Sequence, residues 1–340
     1  MIELNLITNE KIFKKKGNFY CDNIEIKLLI EELGKYFNTS LFCRDSNQKR
    51  FHKIKFKKVI LNKNLFYYLL NIYKKFKNKN AKFLLISITP YTFVCFLFLY
   101  IFKKKKIYLY LRSDGFEEYK KIFGIFGIFG KFIYSIMFSL VTPNVKIISN
   151  NKNIIKTKKF SIVRPSLLDN SWRQKLKKIN LNKIKLLYVG RAKVEKGIYS
   201  LVDLFKKIKR NITLTIIGCE NNQHFDKIPK IRFLKIVQDR KKLISYYDKH
   251  LIFILPSFTE AYGMVIDEAL SRGRPVIIFE EIKNVIGNRK GIFVCRRNHI
   301  DLEKLIFFII NNYSKIKKQI LENKLPDKKK YIDNLVKFLI

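Results

Sequence analysis

Short apolar runs separated by helical periodicity recur along the whole chain, and that alternation restricts the fold more than any other feature. In the second half the runs are Ile184–Gly190, Ile212–Gly218, Ile231–Ile236, Leu251–Ser257, Pro275–Phe279 and Gly291–Cys295. Between the first two, Ile198, Leu201, Val202, Phe205 and Ile208 follow the spacing of one helix face. The first half repeats the style. Ile2–Thr8, Ser40–Arg44, Phe83–Ile88, Ile107–Arg112 and Val145–Ser149 read as strands, and Ile26, Leu29, Ile30, Leu33 and Phe37 as a helical stripe. Strands apolar on both faces need cover on both, so the pattern predicts parallel sheets flanked by helices. The expected fold class is α/β, with two tandem Rossmann-like, doubly wound domains. A length of 340 residues suits two domains. Pro165 and Asn170 break the pattern, which puts the boundary within Arg164–Gln174: an N-terminal domain over 1–166 and a C-terminal one over 167–326.

Two apolar stretches have membrane-span character. Phe83–Phe102 is uncharged and long enough to cross a bilayer, and Lys103–Lys106 follow it. Pro90 divides it, however, and proline opens a helix well, so the preferred reading is a strand followed by a helix. Ile122–Val145 carries one charge, Lys131, with glycines at 124, 127 and 130. It reads either as a hydrophobic hairpin dipping into a membrane or as a buried helix. Leu65, Leu69, Ile72, Tyr73 and Phe76 form a stripe ending among Lys74, Lys75, Lys77 and Lys79. Such a segment, Leu65–Lys79, either lies in a lipid interface or packs on its own sheet.

Lys and Arg total 70 against 27 Asp and Glu, a formal net charge of +43. Much of this fits a solvated surface, but the distribution is uneven. Ser46–Ser113 holds 17 Lys and Arg and no acid, and Tyr119–Leu168 again has no acid. That surface attracts polyanions, either an anionic leaflet or nucleic acid. Apolar residues at 48% exclude a disordered basic tail. Five scattered cysteines argue for a reducing compartment. Met1–Asn9 contains Glu3 and lacks a signal-peptide pattern. The chain has no G-x-x-x-x-G-K-[ST], no G-x-G-x-x-G after a strand, no H-E-x-x-H, no cysteine pair at zinc spacing and no D-x-D. No metal site or cofactor is expected.

Two segments carry chemistry. In the first, the strand ending at Pro256-Ser257 leads to a loop with Glu260 and then a helix starting near Gly263 and bearing Glu268. Free backbone N–H groups at a helix start bind anions. Carboxylates accept from paired sugar hydroxyls, although acids at helix starts are also common for dipole reasons alone. In the second, strand Ile184–Gly190 ends in a glycine, Arg191 follows, and Lys196-Gly197 precedes the next helix. A guanidinium fork and an ammonium could neutralise a diphosphate where a metal otherwise would.

These segments resemble family 4 glycosyltransferases of the GT-B fold. The match runs through Tyr188-Val-Gly-Arg, Glu195-Lys-Gly, Leu214-Thr-Ile-Ile-Gly, Pro256-Ser and Glu260-x7-Glu268 with Glu-Ala-Leu-Ser-Arg-Gly-Arg-Pro-Val, over roughly Ile184–Val294. The resemblance implies two Rossmann-like domains facing across a cleft, with a nucleotide-sugar on the second. It places Gly190, Arg191 and Lys196 at the diphosphate and Glu268 at the ribose. Glu260 and the backbone of Ala261, Tyr262 and Gly263 would hold the donor sugar and phosphate. The loop after Gly218 would face the base. It further implies transfer with retention, usually without metal, in which the departing phosphate oxygen helps deprotonate the acceptor. Ala261 stands where the family usually has glycine. The first half matches thinly. Only Gly17 represents the glycine pair near the first strand, and Arg112-Ser-Asp-Gly replaces a His-bearing loop. Asp114, as a candidate catalytic group beside Glu260, and Arg112, with Gly17 on the acceptor side, are carried forward. Residues 327–340 would form a C-terminal helix returning to the first domain.

The expected function is a retaining glycosyltransferase. It would move a sugar from a nucleotide-diphosphate sugar to a glycan or glycolipid acceptor of surface polysaccharide or lipopolysaccharide. It would work in the cytoplasm, peripherally on the inner face of the membrane, with no nucleic-acid partner. The alternatives are a nucleotide-sugar epimerase of the same fold and a non-catalytic basic protein binding membrane or nucleic acid.

Overall fold

The structure, a computed structural model, describes residues 1–56, 58–122, 126–150, 160–177, 179–219 and 228–340. The chain forms two compact units. One comprises Met1–Pro165 with Lys329–Ile340, the other Ser166–Lys328.

The first unit runs β1 (Glu3–Lys15), β2 (Asn18–Cys21), α1 (Ile24–Leu33), β3 (Asn38–Asp45), β4 (His52–Ile54), β5 (Val59–Asn62), α2 (Leu65–Tyr73), β6 (Lys82–Ile86), α3 (Pro90–Ile101), β7 (Ile107–Leu111), α4 (Gly115–Ile122), α5 (Gly127–Val141), β8 (Lys146–Ser149) and β9 (Ser161–Ile162). Its parallel sheet has the order β5-β3-β1-β6-β7-β8-β9. The chain winds from β1 in both directions, as the doubly wound pattern requires. The first strand is longer than its apolar run. After a register shift between Ile7 and Lys11, β1 continues to Lys15 and pairs antiparallel with β2, which pairs with β4. Lys16 and Gly17 both take positive φ at this hairpin turn. The polar residues after Thr8 hid this extension.

The uncharged stretch 83–102 divides at Pro90. Residues of β6 are buried, and α3 opens with a Thr89/Thr92 capping box and Pro90 in its first turn. At 12 residues α3 spans roughly 18 Å, well short of a ~30 Å hydrocarbon core. Among the described residues no helix is long and apolar enough to cross a membrane. The stretch 122–145 lies partly outside the described residues. Its described part, α5, is a helix covered on one side only: Tyr134, Met137, Phe138 and Val141 are buried and the opposite side is exposed. The basic amphipathic segment is a helix only to Tyr73, and the lysines follow it.

The second unit runs β10 (Ile184–Val189), α6 (Ile198–Lys207), β11 (Ile212–Ile217), β12 (Ile231–Leu234), α7 (Arg240–Lys249), β13 (Ile252–Leu255), α8 (Met264–Ser271), β14 (Val276–Phe279), β15 (Ile292–Cys295), α9 (His299–Asn311) and α10 (Tyr313–Leu321). Its sheet is wholly parallel, in the order β12-β11-β10-β13-β14-β15. The buried Ile and Leu of β10, β13 and β14 meet Ile198, Leu201 and Phe205 of α6 and Ile266 and Leu270 of α8 in one core. The final helix, α11 (Lys328–Leu339), packs in the first unit: its Tyr331 hydroxyl donates to Glu25 Oε1 at 3.1 Å.

Candidate active site of the second unit

The tips of β10, β11 and β13 are brought together by backbone packing that only glycine permits. Gly218 has φ +105, and a Cβ there would lie 2.2 Å from the Gly190 carbonyl oxygen. Gly197, at φ +66, ends a 3-10 turn over Val194–Lys196 and starts α6. A Cβ on it would lie 1.9 Å from the Pro256 carbonyl oxygen. The Phe258 amide also donates to the Glu195 carbonyl at 3.0 Å. The Lys196 loop is thereby stitched to the loop carrying Glu260.

The result is a direct ion pair. Lys196 Nζ lies 2.5 Å from Glu260 Oε1, which also accepts from Ser257 Oγ at 2.9 Å. Arg191 follows Gly190, and its carbonyl accepts from the Tyr188 hydroxyl at 3.1 Å. Burial pushes the Tyr188 phenol well up. Glu260 raises it further and Arg191 opposes, so both charges act on this one hydroxyl. Among the described residues no acid pairs with the Arg191 guanidinium.

Helix α8 opens on Gly263 (φ +73) with no side-chain cap. No side chain caps its first turn, where the Ile266 amide donates to the Gly263 carbonyl at 2.9 Å. The preceding loop is fixed through Tyr262. The Tyr262 hydroxyl donates to Asp267 Oδ2 at 2.8 Å, and Arg289 donates to Asp267 Oδ1 at 2.8 Å and to the Tyr262 carbonyl at 3.1 Å. The Arg289 guanidinium also lies 4.8 Å from the Tyr262 ring centre. Ala261 is not among the positive-φ residues, so its backbone suits an L side chain. Glu268, on the second turn, is buried and accepts from the Tyr247 hydroxyl at 2.8 Å. Burial pushes its carboxyl up to about 7, partly opposed by that hydrogen bond.

The Arg-Gly-Arg-Pro end of the motif is an anchor. Arg272 is buried and makes paired bonds to Asp248 at 2.9 and 3.0 Å, and it also donates to the Trp172 and Gln174 carbonyls. Arg274 donates to the Asp248 carbonyl and the Tyr313 hydroxyl. These bonds fix the C-terminal end of α8 and hence the height of Glu268.

Arg297 escaped the sequence reading. Its guanidinium donates to the Pro256 carbonyl at 3.0 Å and to Glu281 at 2.6 Å, between the rings of Phe258 and Phe279 at 4.2 and 4.3 Å. Nothing marks one arginine after a strand in so basic a chain. The expected base-facing loop after Gly218 falls largely in 220–227, outside the described residues. Among the described residues no group of three or more His, Cys, Asp or Glu could hold a metal ion.

The first-unit candidates each have local structural partners. Gly17 is at the exposed hairpin tip with nothing near its Cβ position. Asp114 accepts from the amides of Phe116 and Glu117, which makes it the N-cap of α4. Arg112 Nε donates to buried Glu25 at 2.7 Å, in a cluster with Tyr110 and Tyr331.

Residues 170–325 match the family described as Glycosyl transferases group 1. Over these residues the second unit is similar to group 1 glycosyl transferases. Lys196, Glu260 and Glu268 all lie within the matched residues. A 41.2 kDa protein of the cps region of Klebsiella pneumoniae is 27% identical over 211 residues, 59% of this chain and 54% of that protein. The capsular polysaccharide biosynthesis glycosyltransferase CapM of Staphylococcus aureus is 28% identical over 179 residues, 48% of this chain and 45% of that protein. The chain thus spans about half the length of these curated relatives. Sucrose-phosphate synthase from Thermosynechococcus elongatus shares the fold with a TM-score of 0.70 at 14% identity, covering 98% of this chain and 97% of that one. HepE from Anabaena, solved with UDP and glucose, gives 0.68 at 12% identity, with 99% of each chain covered. The fold is α/β with two sheets of mostly parallel strands, the GT-B class.

Proposed function

We propose that the chain is a retaining, metal-independent glycosyltransferase. It takes a sugar from a nucleotide-diphosphate donor and passes it to a glycan or glycolipid of surface polysaccharide or lipopolysaccharide. The observation that carries the reading is the Lys196–Glu260 pair, stitched through Pro256 beside the uncapped start of α8, within the residues similar to group 1 glycosyl transferases. Arg191 and Lys196 serve the diphosphate, each charge-assisted bond contributing about 1.5–3 kcal/mol. Glu260 and the amides of Ala261, Tyr262 and Gly263 hold the donor sugar, and Glu268 holds the ribose.

In this mechanism the sugar–phosphate bond breaks as negative charge grows on the leaving diphosphate. Two cations and a helix start are suited to stabilising that charge. The leaving phosphate oxygen takes the acceptor proton on the face it departs from, which gives retention. Arg112, Asp114 and Gly17 are proposed for the acceptor side. The name of CapM supports a polysaccharide acceptor, and the UDP bound to HepE supports a nucleotide-diphosphate donor. The basic first half suits work at an anionic inner membrane surface.

Saturation binding with a panel of nucleotide-sugars tests this. One or a few donors should bind, and Arg191→Ala should weaken them. Failure of every donor to bind would sink the reading. Conversion of donor alone, without acceptor, would make the protein an epimerase.

A further inference from the structure

We propose that the outer face of the α2, α3 and α5 layer in the first unit is a docking surface that inserts apolar side chains into an anionic lipid leaflet. The proposal rests on the membrane part of the reading above and names the face and the mode of binding.

Helix α5 presents Ile128, Phe129, Phe132, Ile136 and Leu140 to solvent along one stripe, with Ile128 83%, Phe129 58% and Phe132 60% exposed. Its other face is the packed one. The neighbouring helices do the same. Phe66, Tyr67, Leu70 and Tyr73 of α2 are exposed, as are Tyr100, Ile101 and Phe102 at the end of α3. The helices α2 and α3 pack together, as do α3 and α5, and the Tyr73 ring lies 5.7 Å from that of Phe102. Half of the exposed large apolar side chains among the described residues belong to this one layer. Contiguous apolar surface beyond roughly a few hundred Å² marks an interaction site.

The surrounding charge selects the occupant. Lys63, Lys74, Lys77, Lys103 and Lys105 are exposed at the ends of α2 and α3, and Lys131 lies on α5. No acid occurs in α2, α3, α5 or the loops that follow them. The nearest acids facing this layer are Glu117, 3.8 Å from Lys131, Glu118, which accepts from Ser113, and Glu3, 3.1 Å from Lys75. A second copy would set lysines against lysines. An anionic leaflet receives both the apolar stripe and its cationic ends.

Flotation of the full chain with vesicles of phosphatidylglycerol and phosphatidylcholine tests the proposal, with phosphatidylcholine vesicles as the control. The chain should float with the anionic vesicles and stay partly bound at 0.5 M salt. Phe129→Glu/Phe132→Glu should cut that binding at least tenfold, with circular dichroism, melting and donor binding unchanged. Tryptophan emission of the Phe132→Trp variant should shift blue on vesicle addition. Several results overturn the inference. Floating of the double variant like the parent would do so, as would an unshifted Phe132→Trp spectrum or complete release by salt. Self-association that the double variant abolishes while vesicle binding is unchanged would make a second copy the occupant. Absence of any vesicle binding would overturn the membrane reading as well, whereas donor binding is read separately and stands or falls alone.

Discussion

Lys196 and Glu260 meet at 2.5 Å although 64 residues separate them, and the Ser257 hydroxyl donates to the same carboxylate oxygen. The pair places a cation and an acceptor of sugar hydroxyls at one point. It also sets up a competition. While bound to Glu260, the ammonium is partly neutralised; under the proposed function a diphosphate would draw it away and release the carboxylate for the sugar.

The competition predicts opposite effects for the two partners. Lys196→Ala should weaken binding of the free nucleotide diphosphate about 10- to 100-fold, the equivalent of one charge-assisted bond. Glu260→Gln frees the ammonium. It should leave diphosphate binding equal or tighter while transfer falls at least ~100-fold, because only the sugar loses its charged acceptor. Calorimetric titration with the diphosphate, alongside turnover of the whole donor, checks both. Equal losses of diphosphate affinity in the two variants would contradict the competition.

Glu268 predicts a pH-dependent trade between stability and binding. Its folded carboxyl is pushed up to about 7 from an ordinary 4.5 by burial. A raised carboxyl favours the fold fully below the unfolded value. Its contribution then declines as pH rises from about 4.5 through 7, by roughly 3 kcal/mol in all. Glu268→Gln keeps an acceptor for the Tyr247 hydroxyl and carries no charge. Its melting temperature should therefore exceed the parent's above pH 7 and match it near pH 4.5, while nucleotide-sugar affinity drops. Parallel melting curves across that range would contradict the buried-carboxyl account.

The legibility of this chain differs between its halves for physical reasons. The central strands β13 and β14 of the second unit are apolar and buried on both faces, so they announce themselves as uninterrupted runs, and β10 and β11 are broken only by Lys185 and by Thr213 and Thr215. Lys196 and Glu260 stand out in the sequence through their places after strand ends and the motifs that carry the family resemblance, and the structure pairs them. The β1–β2 hairpin does not stand out, because its residues after Thr8 are largely polar and only partly buried. The exposed stripe of α5 was hidden for the opposite reason. A helix apolar on every side looks the same in sequence whether one face or all of it is covered. Arg297 reaches Pro256 through tertiary packing that leaves no local pattern.

Arg272 predicts a large stability effect with little direct chemistry. Its guanidinium and Asp248 are both buried and paired, so deleting one side strands the other. Arg272→Ala should cost about 3–5 kcal/mol in chemical denaturation. Asp248→Asn should destabilise less, since the amide oxygen still accepts one bond. Donor affinity of the folded fraction should fall by less than about tenfold.

Gly197→Ala tests whether the backbone stitch itself positions Lys196. The left-handed conformation alone costs an L residue about 1–2 kcal/mol. The added Cβ would also sit 1.9 Å from the Pro256 carbonyl oxygen, a backbone atom that can yield only by moving the loop. The two strand tips must separate, which draws the ammonium from Glu260. The variant should therefore lose stability and also lose at least tenfold in donor affinity, although no group that contacts the donor has been removed. Gly287→Ala, also at positive φ but with nothing near its Cβ position, is the control. It should lose a similar increment of stability and keep donor binding. Equal donor affinity in the two variants would show that strain at a glycine, rather than the contact with Pro256, accounts for the Gly197 effect.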